Sequence, residues 1–446
     1  MPELLAKIIQ NPEDLTLRLA FADAEAEAGN ISYAEFIRLQ CQLESINLRF
    51  HERQQLNQKV EVLLKQNENS WLASLDFPDA VRHQLWRGGF VDDVVINLNR
   101  YSGQLDEILQ KAPITTLTIS DECAPESFAR LAADAALLKI RNLDLRETIL
   151  EEAGAKALFA SPFLANIESI QFADEDCLPE IIRHLANSAL PALKRLRFEG
   201  YISAQVGTRG VELLASSAFA SRLVVLELLN VAIDADGAKV VADTPAFARL
   251  EQLSFAGGHY SSNQIGAEGA SVLSQSPHLG ELQSLNLGFN HVGDAGFEAI
   301  TKSRTLQRLS GLYLQANDIS RESFVYFSLS PFLHQLKSLD LSHNQLCDHA
   351  VERLVLAAPE ALEVLWLYHN PITDRGARML ANAPMSAHLT ELNLAQTGLT
   401  DEGAQSLLDS VYLTSLDQLF LGLNNFSDAI REKLKLKFGD VLRDIR

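Results

Sequence analysis

The chain has 446 residues, with 38 Lys or Arg against 58 Asp or Glu, for a formal charge of −20. The acid excess is spread along the chain and argues against nucleic acid, whose phosphates need a basic face. Apolar residues make up 47%, yet no apolar run approaches the roughly 18 residues of a membrane span, so no membrane partner is expected.

In chain order, "MPELLAKIIQNPED" lacks the basic, apolar and small-residue segments of a secretory leader, which makes the cytoplasm the expected location. "NPEDLTLRLAFADAEAEAG" (11–29) predicts a helix with Asn11 as N-cap, Pro12 in the first turn and Gly29 as its stop. A second helix is predicted over 32–50, with Phe36, Leu39 and Leu43 on one face, and a third, polar one over about 52–68, leading to "WLASL".

From about residue 111 a repeat takes over. "LxxLxL" begins at 282, 309, 336, 362, 389 and 416, and weaker copies begin at 114, 140, 167, 193, 223 and 250. Twelve copies follow, spaced 26 or 27 residues apart where the pattern is clearest. In each, alternating apolar residues predict a short parallel strand facing a core, and a 3.6-residue rhythm then predicts a helix. Asn290, Asn317, Asn344, Asn370 and Asn424 hold one equivalent place after the strand, where a buried turn needs its backbone groups satisfied. An amide can donate and accept there, so the asparagines are expected to bridge successive turns, with Thr397 replacing one rung. Thr373, Asp374, Thr400 and Asp401 suit helix N-termini. Gly296, Gly376 and Gly403 let each helix approach its neighbour.

These units resemble leucine-rich repeats of the ribonuclease-inhibitor type, in which a full helix follows each strand. The resemblance covers roughly 110–446. It implies an α/β, right-handed leucine-rich-repeat solenoid, a horseshoe of about twelve strand-helix units with its sheet on the concave face. Residues 426–446 are expected to close its end. In residues 1–110, "LLAKIIQNPED", "LRLAFADAEAEAGN", "AEFIRLQCQL" and "WRGGFVDDVVI" resemble the N-terminal repeat-companion domain of bacteria, notably planctomycetes. That domain usually has tryptophan where Ala24 stands and "RGF" where this chain has "RGGF". The division expected is therefore a mainly helical capping domain at 1–110 and a solenoid at 111–446.

No phosphate-cradling, metalloprotease, nucleophile-elbow or dinucleotide motif occurs. No catalytic residue, cofactor or metal is expected. Cys41, Cys123, Cys177 and Cys347 are too dispersed for a disulfide or zinc framework. His343 and His369 should stand one strand apart with Asp340 nearby, which reads as a polar patch before a metal site.

Along the central outward strand position the second half of the array turns aromatic. Tyr313, Asp340, Trp366, Asn393 and Phe420 occupy it, and Tyr368 lies two residues beyond Trp366. Aromatic side chains outside a core mark binding surfaces. The predicted partner site on the concave face is Tyr313, Asp340, His343, Trp366, Tyr368, His369, Asn393 and Phe420. Longer units at 193 and 250 predict rim loops carrying Tyr201, His259 and Tyr260. The function expected is a non-enzymatic, monomeric scaffold for one protein or peptide. The alternatives are a GTPase-activating or other catalytic role on the same surface and a host-directed bacterial effector.

Overall fold

A computed structural model describes residues 2–44, 48, 50–78, 81–101, 103–173, 178–201, 205–258 and 263–445. The chain divides into two compact units, Met1–Asp176 with Arg183–Arg195 and Cys177–Ile182 with Leu196–Arg446.

The first unit begins with helices α1 (Pro2–Gln10), α2 (Leu15–Glu27), α3 (Ile31–Leu43) and α4 (Phe50–Leu75). Two sequence expectations are corrected here. Asn11 is not an N-cap; it follows α1, and the cap of α2 is Asp14, whose carboxylate accepts from the backbone N–H groups of Thr16 and Leu17. The third helix is longer than predicted and absorbs "WLASL".

A hairpin follows, β1 (Val81–Arg87) and β2 (Phe90–Asn97), antiparallel with Arg87 opposite Phe90. Its two-residue turn needs positive φ twice, and Gly88 (+55°) and Gly89 (+87°) supply it. Both glycines also make room. A Cβ on Gly88 would lie 1.5 Å from the Arg18 guanidinium, and one on Gly89 would lie 2.7 Å from the Ile37 Cα. The "RGGF" sequence is therefore the imprint of helices seated on a hairpin. Phe21 meets Phe90 at 5.1 Å, and Phe36 lies between Trp71 (4.9 Å) and Trp86 (5.4 Å).

Parallel pairing starts at β2. After α5 (Leu105–Leu109) come β3 (Thr116–Glu122), α6 (Pro125–Ala132), β4 (Asn142–Ile149), α7 (Glu151–Phe159) and β5 (Ser169–Ala173), with β2 to β5 parallel in chain order. Helix α8 (Pro179–Ala186) follows. Every residue of β2 except its last is buried, Asp92 and Asp93 included. Thr115 and Thr118 donate to those two carboxylates at 2.8 and 2.9 Å.

Beyond α8 the strands are β6 (Arg195–Glu199), β7 (Val225–Leu229), β8 (Gln252–Ser254), β9 (Ser284–Asn286), β10 (Gly311–Tyr313), β11 (Ser338–Asp340), β12 (Val364–Trp366), β13 (Glu391–Asn393) and β14 (Gln418–Phe420). With β3 to β5 they supply all twelve predicted strands. Helices alternate with them: α9 (Gly207–Ala215), α10 (Ala235–Asp243), α11 (Gly266–Gln275), α12 (Gly293–Thr301), α13 (Asp348–Ala357), α14 (Asp374–Ala381), α15 (Asp401–Asp409) and α16 (Asp428–Phe438). The unit that begins at 309 departs from the pattern. Its helix is a 3₁₀ segment, Ser323–Leu329, whose Phe324 and Phe327 stack on Phe297 of α12 at 5.3 and 6.1 Å. The last strand, β15 (Leu442–Arg443), pairs with β14 and covers its edge.

The alternating leucines Leu285, Leu312, Leu339, Leu365, Leu392 and Leu419 are fully buried. Each such side chain contributes roughly 2 kcal/mol by leaving water. The asparagines form the expected ladder. Asn344 Oδ1 accepts from the N–H groups of Asn317 and Ile319 in the preceding unit, and its Nδ2 donates back to Leu314 O as well as to Leu341 O. Asn317, Asn370 and Asn424 repeat the backward donation, to Leu287, Leu341 and Leu394. Thr397 does not: its hydroxyl bonds to Leu394 O of its own unit and to Asn424 ahead.

One rung was missed in the sequence. In the long unit at 250, Asn263 supplies it, accepting from Val231 and Ile233 and donating to Leu228 and Phe255. It stands eight residues after Phe255, whereas Asn290 stands three after Leu287, so the inserted residues precede the rung.

A second ladder joins helix starts. Asp348 accepts from the N–H and hydroxyl of Thr373, Asp374 from those of Thr400, and Asp401 from those of Ser427, at 2.5–2.8 Å. Glycines keep these joints close. A Cβ on Gly403 would lie 2.3 Å from the Asp374 carboxylate.

Candidate functional site

The open face of the sheet, opposite the leucines, carries the predicted residues in strict register. Tyr313 pairs with Asp340, Asp340 with Trp366, Trp366 with Asn393, and Asn393 with Phe420. Neighbouring parallel strands lie about 4.8 Å apart, so the row spans roughly 20 Å. Tyr313, Trp366, Asn393 and Phe420 are half-buried, neither core nor fully solvated.

The aromatic residues lean in definite directions. Trp366 reaches over β13, where its Nε1 donates to Glu391 Oε1 at 2.9 Å, and its ring meets Phe420 edge-on at 6.5 Å. Tyr313 lies along its own strand, its ring over Gly311, where an added Cβ would come within 3.1 Å of it. Tyr368 donates to Gln396 Oε1 at 2.9 Å. The rings of His343 and His369 are 4.6 Å apart, and Tyr368 meets His343 edge-on at 4.7 Å. Both histidines hold φ of +54°, a conformation shared along their column by Phe289, Ala316, Gln396 and Leu423. The turn requires it, so the residue that fills this column is free to vary while its backbone is not.

Asp340 is less exposed than its position predicts: it is 7% accessible. Its carboxylate accepts from Ser342 N at 2.9 Å, and burial raises its pKa. Burial likewise raises that of Glu391, partly offset by the Trp366 bond. Glu391, Gln396, Gln315 and Ser342 were missed in the sequence. They stand two residues before or after the central position, or beside it on the rim, and strand alternation could have found the first, third and fourth of them.

Of the rim residues, Tyr201 is exposed and its hydroxyl lies 3.4 Å from Glu199. His259 and Tyr260 lie outside the described residues. Among those residues no cluster of three His, Cys, Asp or Glu side chains is placed to hold a metal ion, and no helix is long and apolar enough to cross a membrane.

Strand, asparagine turn and helix, recurring at a fixed spacing, define a leucine-rich-repeat architecture. A family model described as Leucine Rich repeat matches residues 282–300, 333–354 and 386–408, so such repeats are present in this chain. No curated protein matches the chain. Among solved structures it is similar to an internalin (InlF) from Listeria monocytogenes, at 18% identity over 79% of this chain and 87% of that one, with a TM-score of 0.45. It is also similar to a chain of the Rad7 and Elc1 complex in yeast, at 17% identity over 92% of each, with a TM-score of 0.46.

Proposed function

We propose that this protein is a non-enzymatic scaffold that holds one protein or peptide partner on the open, concave face of its sheet, across β10 to β14. The observation that carries this reading is the half-buried aromatic row of Tyr313, Trp366 and Phe420, with Tyr368 beside it, on the face that packs no core. Such rings supply much of the energy of protein recognition. Asp340, His343, His369 and Asn393 form the polar surround, and Tyr201, His259 and Tyr260 extend it at the rim.

The repeats are proposed to be of the ribonuclease-inhibitor type, which the helix after nearly every strand supports. Residues 1–110 are proposed as the bacterial repeat-companion domain, capping a solenoid of 111–446 whose end closes over 426–446. The pairing of β15 with β14 supports that closure. A monomer in the cytoplasm, with neither cofactor nor nucleic acid, completes the proposal.

An affinity pull-down from the source organism, run beside a Trp366→Ala variant, tests it. Losing a central anchor should weaken capture by about 2 kcal/mol, some 30-fold, with only a modest drop in thermal stability. Unchanged capture together with a large stability loss would show that Trp366 serves the fold instead.

A further inference from the structure

The open face is short of cations. Across β7 to β14, the central row and the rows two residues either side of it contain Glu227, Asp340 and Glu391 but no Lys or Arg. Glu227 is compensated by Arg197 from β6, at 3.4 Å. Asp340 and Glu391 have no Lys or Arg partner among the described residues.

Asp340 is the more demanding of the two. A carboxylate 93% removed from water is costly unless it is paired, and among the described residues it is met only by Ser342, through the backbone N–H at 2.9 Å and the side-chain hydroxyl. One further oxygen nearby lacks a partner: the buried side-chain carbonyl of Gln315, one strand away beside Ser342. The strands flanking Asp340 carry Tyr313, whose ring lies over Gly311 of its own strand, and Trp366, which reaches over Glu391 of β13. The result is an acidic floor flanked by two rings, with the unpartnered Gln315 oxygen at one end and no Lys or Arg among the described residues placed to meet it.

We infer that this place receives an arginine side chain of the partner: the guanidinium pairs with Asp340, donates to Ser342 Oγ and Gln315 Oε1, and lies against Trp366 or Tyr313. This deepens the scaffold reading and rests on it. A guanidinium brings five N–H donors in a rigid plane and a face that stacks on aromatic rings, whereas a lysine ammonium is a compact point charge with three. Charge agrees with shape, since the chain as a whole is at −20 and steers basic partners toward it.

The test uses the full chain and three fluorescein-labelled peptides, (Gly-Ser-Arg)4, (Gly-Ser-Lys)4 and (Gly-Ser-Glu)4, followed by fluorescence anisotropy at physiological salt. The arginine peptide should bind saturably, at least tenfold tighter than the lysine peptide, and the glutamate peptide should not bind. Asp340→Asn should weaken the arginine peptide at least tenfold, while Glu360→Gln, an exposed acid elsewhere, leaves it unchanged. Because Asp340→Asn removes an unpaired buried charge, its melting temperature should hold or rise, so lost binding cannot be lost folding. Equal loss in the two variants, equal binding of the lysine peptide, or no binding at all overturns the arginine site. The pull-down separates the two ideas. A partner lost with Trp366→Ala but kept with Asp340→Asn leaves the scaffold standing and removes only the arginine.

Discussion

At the scale of single residues, the buried acids carry the clearest consequences. Asp93 on β2 is 9% exposed, and burial, reinforced by Asp144, Asp92 and Glu147, raises its pKa to about 6 despite the hydrogen bond from Thr118. A carboxyl that binds its proton more tightly when folded favours the fold in acid. That contribution is full below the ordinary carboxyl pKa near 4 and is lost as pH rises through about 6. At pH 7.5 the charged form should therefore cost up to about 3 kcal/mol. Asp93→Asn keeps an acceptor for Thr118 and sheds the charge. Urea unfolding should find this variant more stable than the parent at pH 7.5 and indistinguishable from it at pH 4. A variant no more stable at pH 7.5 would mean that Asp93 is better solvated or better paired than its surroundings suggest.

At the scale of the element, the repeat unit is the currency of this fold. Each unit hands its bonds only to its neighbours: a strand ladder on one side, an asparagine bridge in the turn, and an aspartate that caps the next helix. Removing residues 336–361 would delete β11, α13 and one rung together. Asn370 would then stand where Asn344 does now, with its carbonyl facing the N–H groups of Asn317 and Ile319. The shortened chain should keep a cooperative unfolding transition and its circular-dichroism signature. Collapse to a coil spectrum would show that some bond in this unit reaches past its neighbours. The same modularity explains what could be read beforehand. The twelve strands follow from alternating leucines that must face a core, and the open-face row follows from their register. The N-terminal helix boundaries did not follow, because Asp14 and Asn11 are both good caps and only packing decides between them. Nor did the hairpin, whose buried β2 has too little polar alternation to show as a strand. Asn263 was hidden by five inserted residues that moved it out of alignment. The depth of Asp340 was hidden as well, since strand alternation gives the face a side chain stands on and not how far its neighbours shield it.

At the scale of the molecule, the break at Thr397 changes how the array should come apart. Every other turn from Asn263 to Asn424 sends an amide back to the unit before it, and this one has no nitrogen to send. A fault line therefore runs between the units that begin at 362 and 389, crossed by strand pairing and by the Asp374–Thr400 cap. Two bonds on the open face also cross it, Trp366 to Glu391 and Tyr368 to Gln396. The chain from 389 onward should open as one flap at lower free energy than residues 282–370, and amide hydrogen exchange should show it as an earlier-exchanging block. Thr397→Asn should close the difference; equal exchange on both sides in the parent would mean there is no seam. The proposed partner would then lie across a hinge, and its docking would act as a latch, slowing exchange in the flap without touching most of it.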